Sequence, residues 1–220
     1  MTTGERRIPY WDAVAATKTF THPLHLPWLD GINRQAAILD YGCGYGRVMN
    51  ELEQHGFGNL TGVDTSPAMI ERAQLLHPAL HFATLDTPPA LPSPDAAFDA
   101  VLLFAVLTCI PADEAQRRLI TELNRLLKPG GFLYVSDLLL QDDDRNRRRY
   151  DRYSAQPDNS GRYGVFETDD GAVCRHHSRD WLTTLLGGFE AVGTRTITVP
   201  TMNGHEATGI QILARKPVAT

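Results

Sequence analysis

ILDYGCGYGR, residues 38–47, runs from a short apolar strand through an acid into three glycines that occupy every second position. A tight turn between a strand and a helix needs backbone angles that only glycine adopts at low cost. The missing Cβ atoms also let a ligand approach the backbone, and the helix that follows offers unpaired N–H groups and a positive potential. The stretch therefore predicts a strand, a ligand-binding turn and a helix in succession.

The spacing of these glycines separates the turn from a dinucleotide-binding loop. Gly42, Gly44 and Gly46 alternate with other residues, whereas the pyrophosphate-binding loop follows the pattern G-x-G-x-x-G. Asp40 favours the same conclusion, because a carboxylate repels a pyrophosphate. It suits an ammonium group, held directly or through water, or the amides of the turn itself. A nicotinamide-dependent dehydrogenase is the weaker interpretation.

Beyond this turn, strand and helix patterns alternate along the chain. Short apolar segments that end in acids alternate with amphipathic segments from residue 37 to residue 140, and 128–131 (KPGG) is predicted as a turn. This alternation indicates right-handed βαβ units. With two closing strands at 190–200 and 205–217, it predicts an α/β fold with a doubly wound, seven-stranded, mostly parallel sheet and an antiparallel C-terminal strand.

Two regions depart from the alternation and are predicted to cover the sheet. Residues 1–34 are rich in aromatics and prolines and form an N-terminal cover segment, and residues 35–220 form one domain. Within that domain, 141–177 is a lid and hairpin insertion. It begins with acids followed by arginines, and two short strands follow around the turn sequence TDDG.

Composition excludes several classes of partner. The net charge is −5, which argues against general binding to nucleic acid or to anionic membranes. No apolar run reaches the ~20 residues of a membrane helix. The three cysteines lack metal-site spacing, and no apolar signal core stands at the N-terminus. We expect a cytoplasmic monomer or homodimer with no metal, no nucleic acid and no membrane partner.

Five segments in order make the chain resemble the class I S-adenosylmethionine-dependent methyltransferases of the small-molecule type. The resemblance implies a Rossmann-like fold, S-adenosyl-L-methionine as cofactor, and methyl transfer to a small-molecule acceptor by in-line displacement through an O, N or C nucleophile. The segments lie within residues 37–137: LDYGCGYG (39–46), GVDTSPAMIERA (62–73), LHFATLD (80–86), FDAVLLFAVLTCIP (98–111) and LLKPGGFLYVSD (126–137).

The resemblance assigns the cofactor to the ends of the first four strands. It implies that the glycine turn holds the methionine part, that Asp64 accepts hydrogen bonds from the ribose hydroxyls, and that Asp86 and a backbone amide near Leu85 face the adenine. Cys43 is then a small packing residue rather than a reactive thiol. The implied cofactor-binding residues are Asp40, Gly42, Gly44, Gly46, Asp64, Thr65, Met69, Leu85, Asp86, Phe104 and Ala105.

The resemblance leaves the general base unknown. Many small-molecule O-methyltransferases place a histidine after the fourth strand, where this chain has Thr108 and Cys109. A base is needed only when the nucleophile carries a proton of high pKa. The candidates for catalysis are His176, His177, Tyr10 and Asp137, and those for substrate contacts are Trp11, His25, Thr108, Tyr150 and Tyr153.

Other functions stay open. The chain could methylate RNA or protein, for which the arginines at 145 and 147–149 would contact phosphate, although the acids at 142–144 argue against this. It could also bind S-adenosylmethionine without methylating, as a cyclase or a regulatory protein, an alternative that the missing histidine favours. Arg47 either lies on a helix surface or contacts the methionine carboxylate.

Overall fold

The computed structural model describes residues 7–159 and 162–218, and its centre is a mixed sheet. In chain order the strands are β1 (Ile38–Tyr41), β2 (Leu60–Asp64), β3 (His81–Thr84), β4 (Phe98–Phe104), β5 (Leu127–Leu138), β6 (Val165–Glu167), β7 (Val173–Arg175), β8 (Glu190–Pro200) and β9 (Glu206–Arg215). Strands β6 and β7 form a separate antiparallel hairpin, as the sequence around TDDG predicts.

The sheet has the order β3-β2-β1-β4-β5-β9-β8. Strands β1 to β5 pair in parallel, and β9 is antiparallel to both of its neighbours. The predicted seven-stranded sheet with an antiparallel C-terminal strand is therefore confirmed. Because β1 lies between β2 and β4, the direction of winding reverses there, and a crevice opens at the carboxyl ends of these strands.

Six helices are found in the described residues, and their starts follow the sequence. Ser66 accepts a hydrogen bond from the Met69 amide at 3.2 Å, and Ser178 accepts one from the Trp181 amide at 3.1 Å, so each serine caps the helix that follows it. The helices are α1 (Arg7–Val14), α2 (Arg47–Gln54), α3 (Pro67–Leu76), α4 (Asp113–Leu126), α5 (Asp144–Ser154) and α6 (Arg179–Leu185), with 3₁₀ turns at Leu26–Leu29, Leu107–Cys109 and Pro157–Asn159.

Two apolar clusters cover the two faces of the sheet. Along β4, Val101 and Leu103 lie in the cluster that contains residues of α4 and α6. Ala100 and Leu102 lie in the cluster that contains residues of α2 and α3. This alternation follows the two-residue period of a strand, and it explains why β4 is apolar throughout.

The prediction of a turn at 128–131 is wrong. Helix α4 ends at Leu126 and β5 begins at the next residue, so the segment lies within the strand. Pairing shifts from Phe98 with Leu127 to Ala100 with Phe132, which is a bulge that absorbs the extra residues. Gly130 has φ +80°, a conformation that a glycine adopts with little strain.

The cover segment and the hairpin meet over the carboxyl edge of the sheet. Lys18 Nζ donates to Asp170 Oδ2 at 2.8 Å and to Asn203 Oδ1 at 2.6 Å. The Tyr10 hydroxyl donates to the same Asp170 oxygen at 2.9 Å. These bonds join α1, the β6–β7 turn and the β8–β9 turn. The boundary between a cover segment at 1–34 and the domain at 35–220 stays a prediction.

No helix within residues 7–159 and 162–218 combines the length and the apolar character that crossing a membrane requires.

Candidate functional site

A cavity of about 320 Å³ lies at the carboxyl ends of β1, β2 and β4. Its walls come from the turn after β1, the cover segment, α5, the β6–β7 hairpin and the β8–β9 turn. The strand order therefore brings together residues that are far apart in the sequence. The predicted site residues that line it are Trp11, Asp40, Gly42, Asp64, Thr65, Met69, Leu85, Phe104, Ala105, Thr108 and His176.

The glycine turn is packed by side chains of the protein itself. Gly42, Gly44 and Gly46 have φ values of +79°, +53° and +81°. A Cβ on Gly42 would lie 2.4 Å from Val106 Cγ2, and one on Gly44 would lie 2.2 Å from Phe20 Cε2. Close approach of a ligand is therefore not needed to explain the glycines. The turn's geometry and its neighbouring side chains already exclude other residues.

Asp64 braces the turn. Its Oδ2 accepts a hydrogen bond from the Gly44 amide at 2.9 Å, and its Oδ1 accepts one from the Ser66 amide at 2.9 Å. Burial raises the pKa of this carboxyl, and the backbone hydrogen bonds oppose that shift. Of the two acids at the turn, Asp64 is the one that holds the loop's amides, which leaves Asp40 available.

Asp40 and Arg47 are polar groups with spare hydrogen-bonding capacity at the cavity. Asp40 is 2% exposed, and its Oδ2 has no hydrogen-bond partner in the described part of the chain. Burial raises the pKa of Asp40 to about 7, while nearby Arg47 opposes this. Arg47 donates to the His22 carbonyl and lies 3.4 Å from Glu51, yet its buried Nε has no partner among the described residues.

The adenine end of the prediction is only partly reproduced. Asp86 is exposed and does not line the cavity. The Leu85 amide donates to the Asp64 carbonyl at 2.8 Å, so this amide is engaged in extending the sheet. Leu85 itself lines the cavity together with Pro88 and Pro89, which the sequence analysis did not single out. These apolar side chains form the cavity wall where Asp86 was expected to face the adenine.

The N-terminal histidines differ in position. Trp11 and His22 line the cavity, and His22 Nδ1 lies 2.8 Å from Ser136 Oγ. His22 is 5% exposed, and burial lowers its pKa. His25 is not among the lining residues, because its ring packs edge-on against Trp28 with centroids 5.2 Å apart. His25 as a substrate contact is therefore not supported by this placement.

His177 and Asp137 belong to a buried structural network. His177 is 1% exposed, with Nε2 2.9 Å from Gln116 Nε2 and Nδ1 3.4 Å from Asp137 Oδ1. Asp137 accepts hydrogen bonds from the amides of Thr108 at 3.1 Å and Leu138 at 2.8 Å. Neither side chain lines the cavity, so the geometry argues against both as catalytic groups.

The predicted tyrosines also lie outside the cavity walls. Tyr10 donates to Asp170, and burial followed by this hydrogen bond raises its pKa. Tyr150 is fully buried, and Tyr153 is half-buried on the same helix. Tyr150 instead contacts a residue that lines the cavity, since its hydroxyl lies 2.5 Å from His176 Nδ1. His176 lines the cavity, is 3% exposed, and has its pKa held well below the usual range by burial.

Several lining residues were not among the predicted site residues, although those of α5 lie in the predicted lid. The β8–β9 turn and the inner face of α5 reach the cavity only because the tertiary fold brings them over the sheet edge. From a polar stretch such as 141–155, composition predicts solvent exposure and nothing more specific. These lining residues are Arg145, Asn146, Arg149, Met202, Asn203, His205 and Glu206.

Two further observations concern metals and thiols. Within 7–159 and 162–218 no group of three or more His, Cys, Asp or Glu side chains is arranged to hold a metal ion. Cys43 is 6% exposed, and burial raises the pKa of its thiol well above the usual value. Cys43 lies in the apolar cluster that contains residues of α2 and α3 and also borders the cavity, and its role as a packing residue stays a prediction.

Three features together define the class I, Rossmann-like methyltransferase fold. They are a doubly wound sheet with an antiparallel last strand, a glycine turn after β1, and acids at the switch-point crevice. Residues 39–135 match the family model described as a methyltransferase domain. Residues 39–135 therefore form a domain that is similar to the class I S-adenosylmethionine-dependent methyltransferases.

Known proteins show the same relationship. A SAM-dependent methyltransferase structure from Methanosarcina mazei superposes with a TM-score of 0.81 and 25% identity, covering 89% of this chain and 99% of that one. EEF1A lysine methyltransferase 2 of Danio rerio is 33% identical over 50% of this chain and 52% of its own length. A 2-methyl-6-phytyl-1,4-hydroquinone methyltransferase of Synechocystis sp. is 36% identical over 60% of this chain and 42% of its own.

The chain spans about half the length of the curated relatives that it matches. The names of these relatives cover both a protein acceptor and a small-molecule acceptor. Similarity therefore supports the methyltransferase domain and leaves the acceptor open.

Proposed function

We propose that the protein binds S-adenosylmethionine in the strand-end cavity and transfers its methyl group to a small-molecule acceptor. The observation that carries this proposal is the pair of buried groups with unused atoms, Asp40 Oδ2 and Arg47 Nε. A buried polar atom without a partner is costly, so such atoms indicate a missing ligand. The methionine part of the cofactor has one ammonium and one carboxylate, which match an acid and a guanidinium.

The rest of the cavity suits the other parts of the cofactor. Asp64 accepts backbone N–H groups from Gly44, Ser66 and Thr65, and a carboxylate has about four lone-pair sites, so it can still accept from a ribose hydroxyl. Met69 and Leu85 are buried apolar side chains on the same wall and provide a surface for the adenine ring. We therefore propose that Asp64 binds the ribose and that Met69 and Leu85 pack against the adenine.

The end of β4 holds backbone strain at the point where the methyl group is proposed to lie. Ala105 has φ +56°, which is uncommon for a residue with a side chain, and its amide donates to the Ser136 carbonyl at 2.7 Å. Strain of this kind clusters at functional sites. Phe104 and Ala105 both line the cavity, between the acids of the turn and the insertion.

The chemistry asked of the protein is mainly alignment. The cofactor supplies an activated methyl group, and the protein must hold the acceptor in line with it. Of the proposed catalytic candidates, only His176 lines the cavity. His177, Tyr10 and Asp137 are engaged elsewhere, which favours an acceptor whose nucleophile needs no strong base.

The cover over the cavity supports a small acceptor. The bonds from Lys18 and Tyr10 to Asp170 close the cover segment onto the hairpin. An acceptor then has to fit within the walls, whereas a lysine of a folded protein needs an open approach. A protein acceptor is the second candidate because a relative is named for one.

Calorimetry with S-adenosylhomocysteine tests the cofactor site. We expect Asp64→Ala to weaken binding by roughly 100-fold, because a charged group that accepts several hydrogen bonds is lost. Asp151→Ala, an exposed acid on α5, is the matched control. Unchanged affinity in Asp64→Ala would refute the assignment. The same titration with Asp86→Ala decides whether that exposed acid contacts the adenine.

A second assay tests the acceptor class. Formation of S-adenosylhomocysteine is measured after the protein and cofactor are mixed with either the low-molecular-weight or the protein fraction of a cell extract. The proposal expects product with the small-molecule fraction. Product with the protein fraction alone favours a protein acceptor, and tight cofactor binding without product in any fraction favours a non-methylating role.

A further inference from the structure

We propose that the acceptor carries an anionic group, a carboxylate or a phosphate, which Arg149 and Arg145 of α5 bind at the insertion side of the cavity. This inference rests on the proposed methyl transfer to a small molecule. It adds the chemical class of the acceptor and names the side chains that select it.

Arg149 is held in place with unused donors. Its guanidinium carbon lies 3.4 Å from the centroid of the Phe166 ring, and the side chain is half-buried and lines the cavity. Its Nε is buried without a hydrogen-bond partner among the described residues. A guanidinium stacked on a ring keeps its edge free, and that edge matches the two oxygens of a carboxylate or phosphate.

Within the described part of the chain, no Asp or Glu forms an ion pair with Arg149 or Arg145. Some other basic residues are paired with acids: Arg125, for example, lies 2.7 Å from both Glu122 and Asp95. The two arginines of α5 are four residues apart, so they lie on the same face of the helix, and both line the cavity. Their charges are therefore available to a ligand.

The acids nearby do not cancel this charge. Glu206 is the acid that lines the cavity at this side, and it is exposed; Arg118 lines the cavity as well. Asp170 on the hairpin is bound by Lys18 and Tyr10. The exposed Glu167 and Asp169 line an outer groove that Arg145 and Arg149 also border, but these two acids do not line the cavity. The insertion side of the cavity therefore carries a positive excess, opposite in sign to the acids at the glycine turn.

The buried pair of Tyr150 and His176 adds a donor to this side. The Tyr150 hydroxyl accepts from the Gln141 amide at 3.3 Å and hydrogen bonds with the Arg149 side chain, and both of these groups can only donate. Its proton therefore goes to His176 Nδ1, 2.5 Å away. The neutral imidazole then carries its own proton on Nε2. In this tautomer His176 presents an N–H donor, and not a basic nitrogen, to an oxygen of the methyl acceptor.

Small anionic probes test the inference on protein saturated with S-adenosylhomocysteine. Binding of benzoate and phenyl phosphate is compared with that of neutral benzamide by ligand-observed NMR. We expect at least one anion to bind about tenfold more tightly than benzamide, and the tighter of the two distinguishes a carboxylate from a phosphate. In Arg149→Gln this preference should fall to within about twofold, since the neutral amide removes the charge-assisted pair.

Arg147→Gln is the matched control, because Arg147 is exposed on the same helix and lines neither the cavity nor the outer groove. Arg145→Gln is a second variant in case Arg149→Gln loses its packing on Phe166. Equal binding of anions and benzamide by the wild type, or a preference that survives both α5 substitutions, overturns the inference. Loss of S-adenosylhomocysteine binding itself instead overturns the proposed function, so the two failures are distinguishable.

Discussion

The two sides of the cavity differ in both charge and construction. The turn side consists of residues 40–69 at the ends of β1 and β2, and it carries Asp40 and Asp64. The insertion side combines the cover segment, α5, the hairpin and the β8–β9 turn, and it carries arginines. The comparison teaches that one side is built from neighbours in sequence and combines its acids with Arg47, which suits a zwitterionic ligand group, whereas the other is assembled from distant segments and suits an anion.

The two sides also differ in how firmly they are held. The turn side depends on backbone hydrogen bonds to Asp64 and on glycines packed closely against neighbouring side chains. The insertion side depends on side-chain bonds such as Lys18 to Asp170, whose side chains are 15% and 34% exposed. Partly exposed ion pairs contribute little free energy. We therefore expect substitutions on the turn side to have the larger effects on stability.

Gly46→Ala should produce the largest change. The added Cβ would lie 2.6 Å from Cζ of the buried Phe82, at φ +81°. We expect the free energy of unfolding to fall by about 2–4 kcal/mol, because overpacking and a left-handed alanine both cost free energy. Urea denaturation measures this. Gly56→Ala, with φ +84° and its nearest atom at 3.9 Å, carries only the backbone cost of about 1 kcal/mol. If both variants lost the same free energy of unfolding, the close contact of position 46 with Phe82 would be shown to be unimportant.

Asp40→Asn should weaken S-adenosylhomocysteine binding by about 30-fold at pH 8, the size expected when a charged hydrogen bond is lost. The pKa of about 7 also predicts a pH dependence. An ammonium favours the ionised carboxylate, so wild-type affinity should fall as the pH is lowered from 8 to 6, where Asp40 takes up a proton before binding. Calorimetry at these pH values is the measurement, and the Asn variant subtracts the ligand's own titration. Identical pH profiles would exclude an ammonium contact at Asp40.

Asp170→Asn should have the smallest effect, less than about 1 kcal/mol at pH 7, because the ion pair with Lys18 is partly exposed. Burial alone would raise the pKa of Asp170, but hydrogen bonds from Lys18, Thr168 and Tyr10 hold it at about 2. The wild-type advantage should therefore be present above pH 4 and disappear as the pH falls toward 2. Faster hydrogen exchange in residues 10–20 should accompany the substitution. Asp169→Asn, an exposed neighbour, should change neither quantity.

Much of the turn side could be predicted from the sequence. Strand β1 with Asp40 next to its last residue, and the positions of Asp64 and Met69 at the cavity, follow from local patterns of apolar residues, glycines and acids. The exposed position of Asp86 could not be predicted in this way, because any of several residues after the end of β3 could line the cavity. The backbone path after β3 decides which of them reaches it.

The insertion side shows the opposite balance. The sequence predicts a lid and a hairpin, and the hairpin is present as β6 and β7, after the helix α5 in the chain. The adjacent histidines His176 and His177 look alike in the sequence, yet one lines the cavity and the other is bound to Gln116 and Asp137. Successive residues of an extended chain point to opposite sides, and only packing determines which side faces the cavity.

By itself, the sequence determined the individual strands of the sheet, the glycine turn and the resemblance to a family. Each of these depends on residues that are a few positions apart. The tertiary structure alone decided which charged groups are already satisfied. Asp64 is engaged by backbone amides, Asp40 retains an unused buried oxygen, and Arg149 lies on a ring with its Nε unpaired. Hydrogen-bond satisfaction depends on groups brought together from distant parts of the chain, and no local pattern encodes it.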